Sequence, residues 1–131
     1  MDREFEMVKK FHEAFGHPVS ESPKALPIER RKNRADWIEE EVREFVVAED
    51  KVDQADALID AMYFCLGTLV EMGIKPDGLF EIVQEANMSK LFPDGKPRYR
   101  EGDGKVLKPE GWEPPEPKLK EEVERQEREN N

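Results

Sequence analysis

With 131 residues, 37% of them hydrophobic and 40% charged, the chain has material for one domain with a compact but not generous core. A net charge of −10 excludes a nucleic-acid polymer held through its phosphates, which would need a basic face. The single cysteine, Cys65, allows no internal disulfide, and there is neither an apolar leader after Met1 nor an apolar run long enough to span a membrane; a cytoplasmic setting is expected.

Phe5, Val8, Phe11, His12 and Phe15 recur at three- and four-residue spacing, which predicts a first helix over residues 2–15, stopped by Gly16 and Pro18. After a loop with Ser20, Ser22, Pro23 and Pro27, a second helix is expected over 28–49, with Ala35, Ile38, Val42, Phe45 and Val46 as its apolar stripe. The third, over 52–72, is apolar on nearly every side from Ala57 to Val70. Such a helix has to be buried all round, which so few helices cannot arrange alone, so a second subunit is expected against it. Gly73 ends it. Pro76 and Asp77 open a fourth helix that runs to about Leu91, with Leu79, Phe80, Ile82, Val83 and Ala86 inward. Beyond Phe92, proline and glycine break any long element; a loop or short hairpin anchored by Tyr99, Val106, Leu107 and Trp112 is expected, then a charged helix or frayed tail over 119–129. The division expected is a helical metal-binding domain over 1–92 and a Gly/Pro-rich extension with a charged tail over 93–131.

The acidity is local. Asp36 to Asp60 hold ten acids against two bases, so this stretch carries −8 of the −10. On the second helix Glu40, Glu41 and Glu44 form an E-E-x-x-E pattern beside Glu39, with Glu40 and Glu44 on one face and Glu41 and Glu44 in reach of each other. Carboxylates this dense repel one another unless a cation lies among them or they face water, and a solvated face is the ordinary reading of such a run. On the third helix Asp53, Asp56 and Asp60 make the only polar stripe. Asp60 lies in apolar surroundings, so burial is expected, together with a metal ion, a cationic partner or protonation. If the two helices are antiparallel neighbours, Glu41 and Glu44 face Asp56 and Asp60. Oxygen-only ligands suit magnesium or manganese. Di-iron and zinc sites want histidine or cysteine at spacings that His12, His17 and Cys65 do not offer.

Basic groups follow: Asn87 and Lys90 on one face at the end of the fourth helix, then Lys96, Arg98, Arg100, Lys105 and Lys108 in the loop. Cations of this kind suit the far side of a polyphosphate, although capping and solubility explain most single members as well. No glycine-rich phosphate loop or nucleophile elbow is present.

The Glu40-Glu41-Val42-Arg43-Glu44 run followed by Asp56-Ala57-Leu58-Ile59-Asp60-Ala61-Met62-Tyr63 resembles the all-α nucleotide pyrophosphohydrolase superfamily, which includes MazG-like proteins, phosphoribosyl-ATP pyrophosphohydrolases and dimeric dUTPases. The string Glu85-Ala86-Asn87-Met88-Ser89-Lys90-Leu91, with Asp94-Gly95-Lys96-Pro97 and Gly104-Lys105-Val106-Leu107-Lys108, is similar to its short phosphoribosyl-ATP-pyrophosphohydrolase-like members; the resemblance covers about residues 5–115. It implies an all-α protomer of four main helices with an irregular C-terminal extension, whose homo-oligomer, a dimer or tetramer, completes four-helix bundles. It also implies magnesium-dependent cleavage of a nucleoside triphosphate, or a related nucleotide, to the monophosphate and pyrophosphate, with manganese as a possible substitute. The family's E-E-x-x-E falls on Glu40, Glu41 and Glu44. Its E-x-x-D ends on Asp60, but Ala57 occupies the glutamate position and Asp56 is the nearby replacement.

On this resemblance the metal ligands are Glu40, Glu41, Glu44, Asp56 and Asp60, with Glu41 or Glu44 as the base that takes a proton from water. Lys90, Arg98 and Lys105 steady the phosphates, and Asn87 meets sugar or base. Trp37 either stacks on the base or packs in the core. Two alternatives stand beside this: a helical oligomer weakened at Ala57 that binds or supports rather than hydrolyses, and an enzyme for phosphoribosyl-ATP.

Overall fold

The computed structural model describes residues 1–130, and they are helical throughout apart from loops: α1 Asp2–Phe15, α2 Ile28–Val47, α3 Lys51–Met72, α4 Asp77–Met88 and α5 Glu116–Glu129. The all-α class follows from the apolar spacing, and the first three helices fall within a few residues of the spans it predicts. The fifth helix is the larger difference, because the span expected as helix or frayed tail is a helix that begins at Glu116. The segment before it, expected as a loop or short hairpin, is a loop in which an isolated antiparallel bridge joins Tyr99 and Val106.

By packing, the described chain forms two compact units: Met1–Pro76 together with the end of the chain from Gln126, and Asp77–Arg125.

In the first unit α2 and α3 are joined by three residues, with Asp50 as the cap of α3: its carboxylate accepts from the Asp53 backbone N–H at 2.9 Å, satisfying a donor that the helix start leaves open. Their pairings run in opposite senses, Arg30 with Glu71, Arg34 with Phe64, Trp37 with Phe64, so the two helices are antiparallel. α1 packs on α3 through Phe5, Val8, Leu66 and Val70, with Val19 and Leu69 closing over them. Gly73 ends α3 in the left-handed conformation at φ 69°, and a Cβ there would meet the carbonyl oxygens of Ser22 at 2.5 Å and Ser20 at 2.8 Å. That close approach lets the loop from α1 to α2 bond to the end of α3, with Ser20 N–H to Val70 O at 3.2 Å and Lys24 N–H to Met72 O at 2.8 Å.

The single chain does not bury α3 on all sides. Ala57, Leu66, Gly67, Val70 and Glu71 are buried, whereas Leu58, Ile59, Met62 and Tyr63 are exposed. The stripe expected on α2 behaves alike: Val42 and Phe45 are exposed, Val46 is 73% exposed, and the one buried residue of α2 is Arg34. No single helix among the described residues is long and apolar enough to cross a membrane.

In the second unit the Trp112 indole N–H donates to Ala86 O at 2.9 Å and ties the proline-rich loop to α4. Trp112 is therefore an anchor, whereas Tyr99, Val106 and Leu107 are exposed. Phe80 and Val83, expected to face inward on α4, are exposed as well.

Candidate metal and nucleotide site

Because α2 and α3 are antiparallel, the acidic turn of one lies beside the acidic turn of the other. Glu41, Glu44, Asp56 and Asp60 form one electrostatic group. Glu41 is the centre of it. Burial raises its carboxyl first, then the hydrogen-bonded Glu44 beside it and the charges of Asp60 and Asp56, so that it is pushed up to about 7. Asp60 is raised in the same direction by burial and by the charges of Asp56 and Glu44. Asp60 is half-buried rather than sealed in, and Glu40, Glu44 and Asp56 are exposed. Among the described residues, no lysine or arginine forms an ion pair with any of the five, so the cationic-partner reading of Asp60 finds no support here.

One atom tests whether a cation fits. Glu41 Oε2 is buried and has no hydrogen-bond partner. A carboxylate oxygen in that state is costly unless something positive reaches it or its group is protonated. The donors around it are all carboxylate oxygens, the set that hard divalent cations prefer. The residues present fit magnesium in kind; among the described residues, no three of them are already drawn around one point suited to an ion. Ala57 is turned into the core, so at that position there is no carboxylate to add. Asp53, part of the expected polar stripe, is instead tied to the helix cap, its carboxyl raised by the neighbouring Asp50.

One turn along the α2–α3 seam from these acids, a cavity of about 230 Å³ is lined by Phe11, His12, His17, Arg34, Trp37, Tyr63 and Phe64. Trp37 stands one turn before Glu41 and Tyr63 three residues after Asp60, so the cavity and the acids share both helices. Trp37 is half-buried, 6.1 Å from the Phe64 ring, and forms part of the cavity wall. Phe11 stands edge-on to Tyr63 at 5.7 Å and stacks with His17 at 6.0 Å. His12, 3% exposed, donates from Nδ1 to Pro18 O at 2.8 Å, because a carbonyl can only accept; Nε2 of the neutral ring is then an acceptor. Burial pushes the His12 pKa down, partly offset by the Pro18 carbonyl.

The sequence offers no spacing rule that finds this cavity. The aromatic spacing on α1 reads as core, yet Phe11 and Phe15 stack at 4.4 Å at its exposed edge. The buried Arg34 is likewise invisible from periodicity.

The remaining expected substrate residues belong to the second unit. Asn87 lies exposed in the last turn of α4, where its carbonyl accepts from the Lys90 N–H at 3.1 Å. The Lys90 ammonium stands 5.5 Å from the Trp112 ring, and that of Lys108 4.7 Å. The Arg98 guanidinium covers the Phe92 ring at 4.2 Å and pairs loosely with Asp94 at 4.0 Å. Lys105 is exposed; its backbone N–H donates to Asp103 at 3.1 Å.

Comparison with known proteins shows the family. A model of the phosphoribosyl-ATP pyrophosphohydrolase family matches residues 8–87, a span that includes the five acids and the aromatic cavity. Among solved structures, a protein of Exiguobacterium sp. 255-15, provisionally assigned as an NTP pyrophosphohydrolase, is similar with 38% identity and a TM-score of 0.58 over 98% of each chain. No curated protein sequence matches.

Proposed function

The chain belongs to the phosphoribosyl-ATP pyrophosphohydrolase family and is a nucleotide pyrophosphohydrolase; on that footing we propose that it hydrolyses a nucleoside triphosphate to the monophosphate and pyrophosphate in a magnesium-dependent reaction. The observation that carries the metal is the buried, partnerless Oε2 of Glu41, whose carboxyl interacts with those of Glu44, Asp56 and Asp60. Magnesium, or manganese in its place, held by Glu40, Glu41, Glu44, Asp56 and Asp60, would stabilise charge on the phosphate oxygens and lower the pKa of a bound water.

The chain's own groups do the rest. Glu41, at the centre of the acidic group, is assigned as the base that takes the proton from water. Glu44, beside it, is the second candidate. Water's oxygen forms the new bond to phosphorus, its proton passes to the carboxylate, and the bond to the leaving pyrophosphate breaks. The aromatic cavity along the seam suits a stacked base, with Trp37 as one wall. Lys90, Arg98 and Lys105 are assigned to the phosphates and Asn87 to sugar or base on the family resemblance. Apolar surface left open on α2 and α3 supports a homo-oligomer as the working form.

The test is pyrophosphate release from canonical and damaged nucleoside triphosphates and from phosphoribosyl-ATP, with and without magnesium. Metal-dependent release by the wild type and none by Glu41→Ala, with helicity intact, is expected. Retained turnover in that variant sinks the assignment. The family's own name favours phosphoribosyl-ATP as a second reading of the substrate, and release confined to that compound would establish it. Silence across the panel from folded protein would transfer the weight to Ala57 and to a binding role.

A further inference from the structure

The most deeply buried carboxylate in the first unit is not among the acids of the site. Glu71 is 1% exposed. It stands on α3 three turns beyond Asp60, about 16 Å along the axis at ~1.5 Å per residue, too far to touch a phosphate bound there. Two arginines from α2 hold it. Arg30 donates from Nε to Oε1 at 2.7 Å and from Nη2 to Oε2 at 2.9 Å. Arg34 lies 3.1 Å from Oε2 through Nη1. The remaining donors of Arg34 are also engaged, Nε with Thr68 Oγ1 at 3.0 Å and Nη2 with Phe64 O at 2.7 Å.

Two cations and an anion buried together are a poor source of stability, since apolar residues of similar shape often do as well or better. Another reason for the trio lies on the far side of the guanidinium groups. The Arg30 and Arg34 guanidinium carbons sit 5.2 and 5.1 Å from the centre of the Trp37 ring, and that of Arg34 is 5.7 Å from the Phe64 ring. Both rings are walls of the aromatic cavity. The backbone has been kept clear for the arrangement: a Cβ on Gly67 would meet Arg34 Nη2 at 2.5 Å and His12 Nε2 at 2.8 Å. Each arginine is thus paired with Glu71 and also stands over an aromatic wall of the cavity.

We propose that Glu71, acting through Arg30 and Arg34, holds the Trp37 indole in the position in which the cavity receives a nucleobase, and so sets base affinity without touching the substrate. This rests on the cavity's being the base site of the nucleotide reading above. Glu71 is on this account a positioning residue, and the two arginines are its means.

The test pairs kinetics with a probe of the indole itself. Full-length protein carrying 5-fluorotryptophan gives two fluorine resonances, from Trp37 and Trp112, assigned with Trp37→Phe. Glu71→Gln and Arg30→Met are each expected to shift or broaden the Trp37 resonance and leave that of Trp112 in place. Both should raise KM for the preferred nucleoside triphosphate about tenfold, the scale of one lost base stack, with kcat changed less than about threefold. Turnover of ribose 5-triphosphate, which has no base, should change less than about twofold.

An unmoved Trp37 resonance, or an equal KM rise with and without the base, overturns the proposal. Should Glu71→Gln not fold, Arg30→Met decides, because Arg30 is one-quarter exposed and its loss leaves Glu71 paired with Arg34. If the wild type hydrolyses neither compound, the nucleotide reading has failed by itself. The fluorine result then judges the clamp alone: movement in Arg30→Met upholds it, and stillness overturns it.

Discussion

Glu41 binds its proton up to about pH 7 in the folded chain, while its ordinary value is 4.5. A carboxyl raised in this way favours folding when protonated, so its contribution is present below the ordinary value and is lost as pH rises through about 7. Asp60 is shifted in the same direction. Metal-free protein is therefore expected to melt at a lower temperature at pH 8 than at pH 5.5. Magnesium should recover the difference at pH 8, and Glu41→Gln should flatten the slope; melting curves in EDTA and in magnesium read all three. Gly67 invites a second substitution. The Cβ of Gly67→Ala has to displace both Arg34 and His12, and a loss of about 1–3 kcal/mol is expected from denaturant unfolding, as for other overpacked interiors. The acidic pattern was readable because it recurs at spacings of three and four on two consecutive helices, although the run on α2 alone reads as a solvated face. Glu71 was not readable. It sits at the end of an apolar run as Asp60 sits near the start, and only the arginines on another helix tell the buried carboxylate from the half-buried one.

At the scale of elements, α1 to α3 follow from apolar spacing and from Gly16 and Gly73, whose positive φ values of 72° and 69° end the first and third helices. The spacing reports which face a helix would bury; it does not report whether the same chain supplies the cover. For that reason the stripe on α2, Val42, Phe45 and Val46, reads as core and yet is exposed in the protomer. α5 was half-legible, since its charged sequence carries little apolar signal and its first turn contains Pro117. The cap of α3 gives an element-scale prediction. Asp50→Ala removes the acceptor of the Asp53 N–H and should lower stability by about 1 kcal/mol. That hydrogen bond holds the Asp50 carboxyl below its ordinary value, so the cap contributes fully where Asp50 is ionised and weakens as pH falls; the cost of Asp50→Ala is expected to be larger at pH 7 than at pH 3, read by urea unfolding.

For the whole molecule, α2 and α3 leave Val42, Phe45, Val46, Leu58, Ile59 and Met62 exposed, and apolar side chains grouped in this way mark interaction surfaces. Ile59, 59% exposed, and Met62, 51% exposed, share one side of α3. Light scattering behind a sizing column should give a mass above that of one protomer, and Ile59→Asp with Met62→Lys should reduce it to the protomer. If the pyrophosphohydrolase works only when that face is covered, turnover falls with the mass; monomeric protein of undiminished activity would separate assembly from catalysis.

Near the end of the chain, the side chain of Gln126 accepts from the Lys75 N–H at 2.8 Å and donates to the Lys75 carbonyl at 3.0 Å. Residues 75 and 126 are thus stapled at the two ends of the excursion that makes the second unit. Such an excursion is modular in the engineer's sense: a few glycines can in principle bridge its two ends, and a foreign segment can be grafted between them. Length variation among relatives is then expected to accumulate between these two positions, because a change in span there need not disturb the helices that carry the acids.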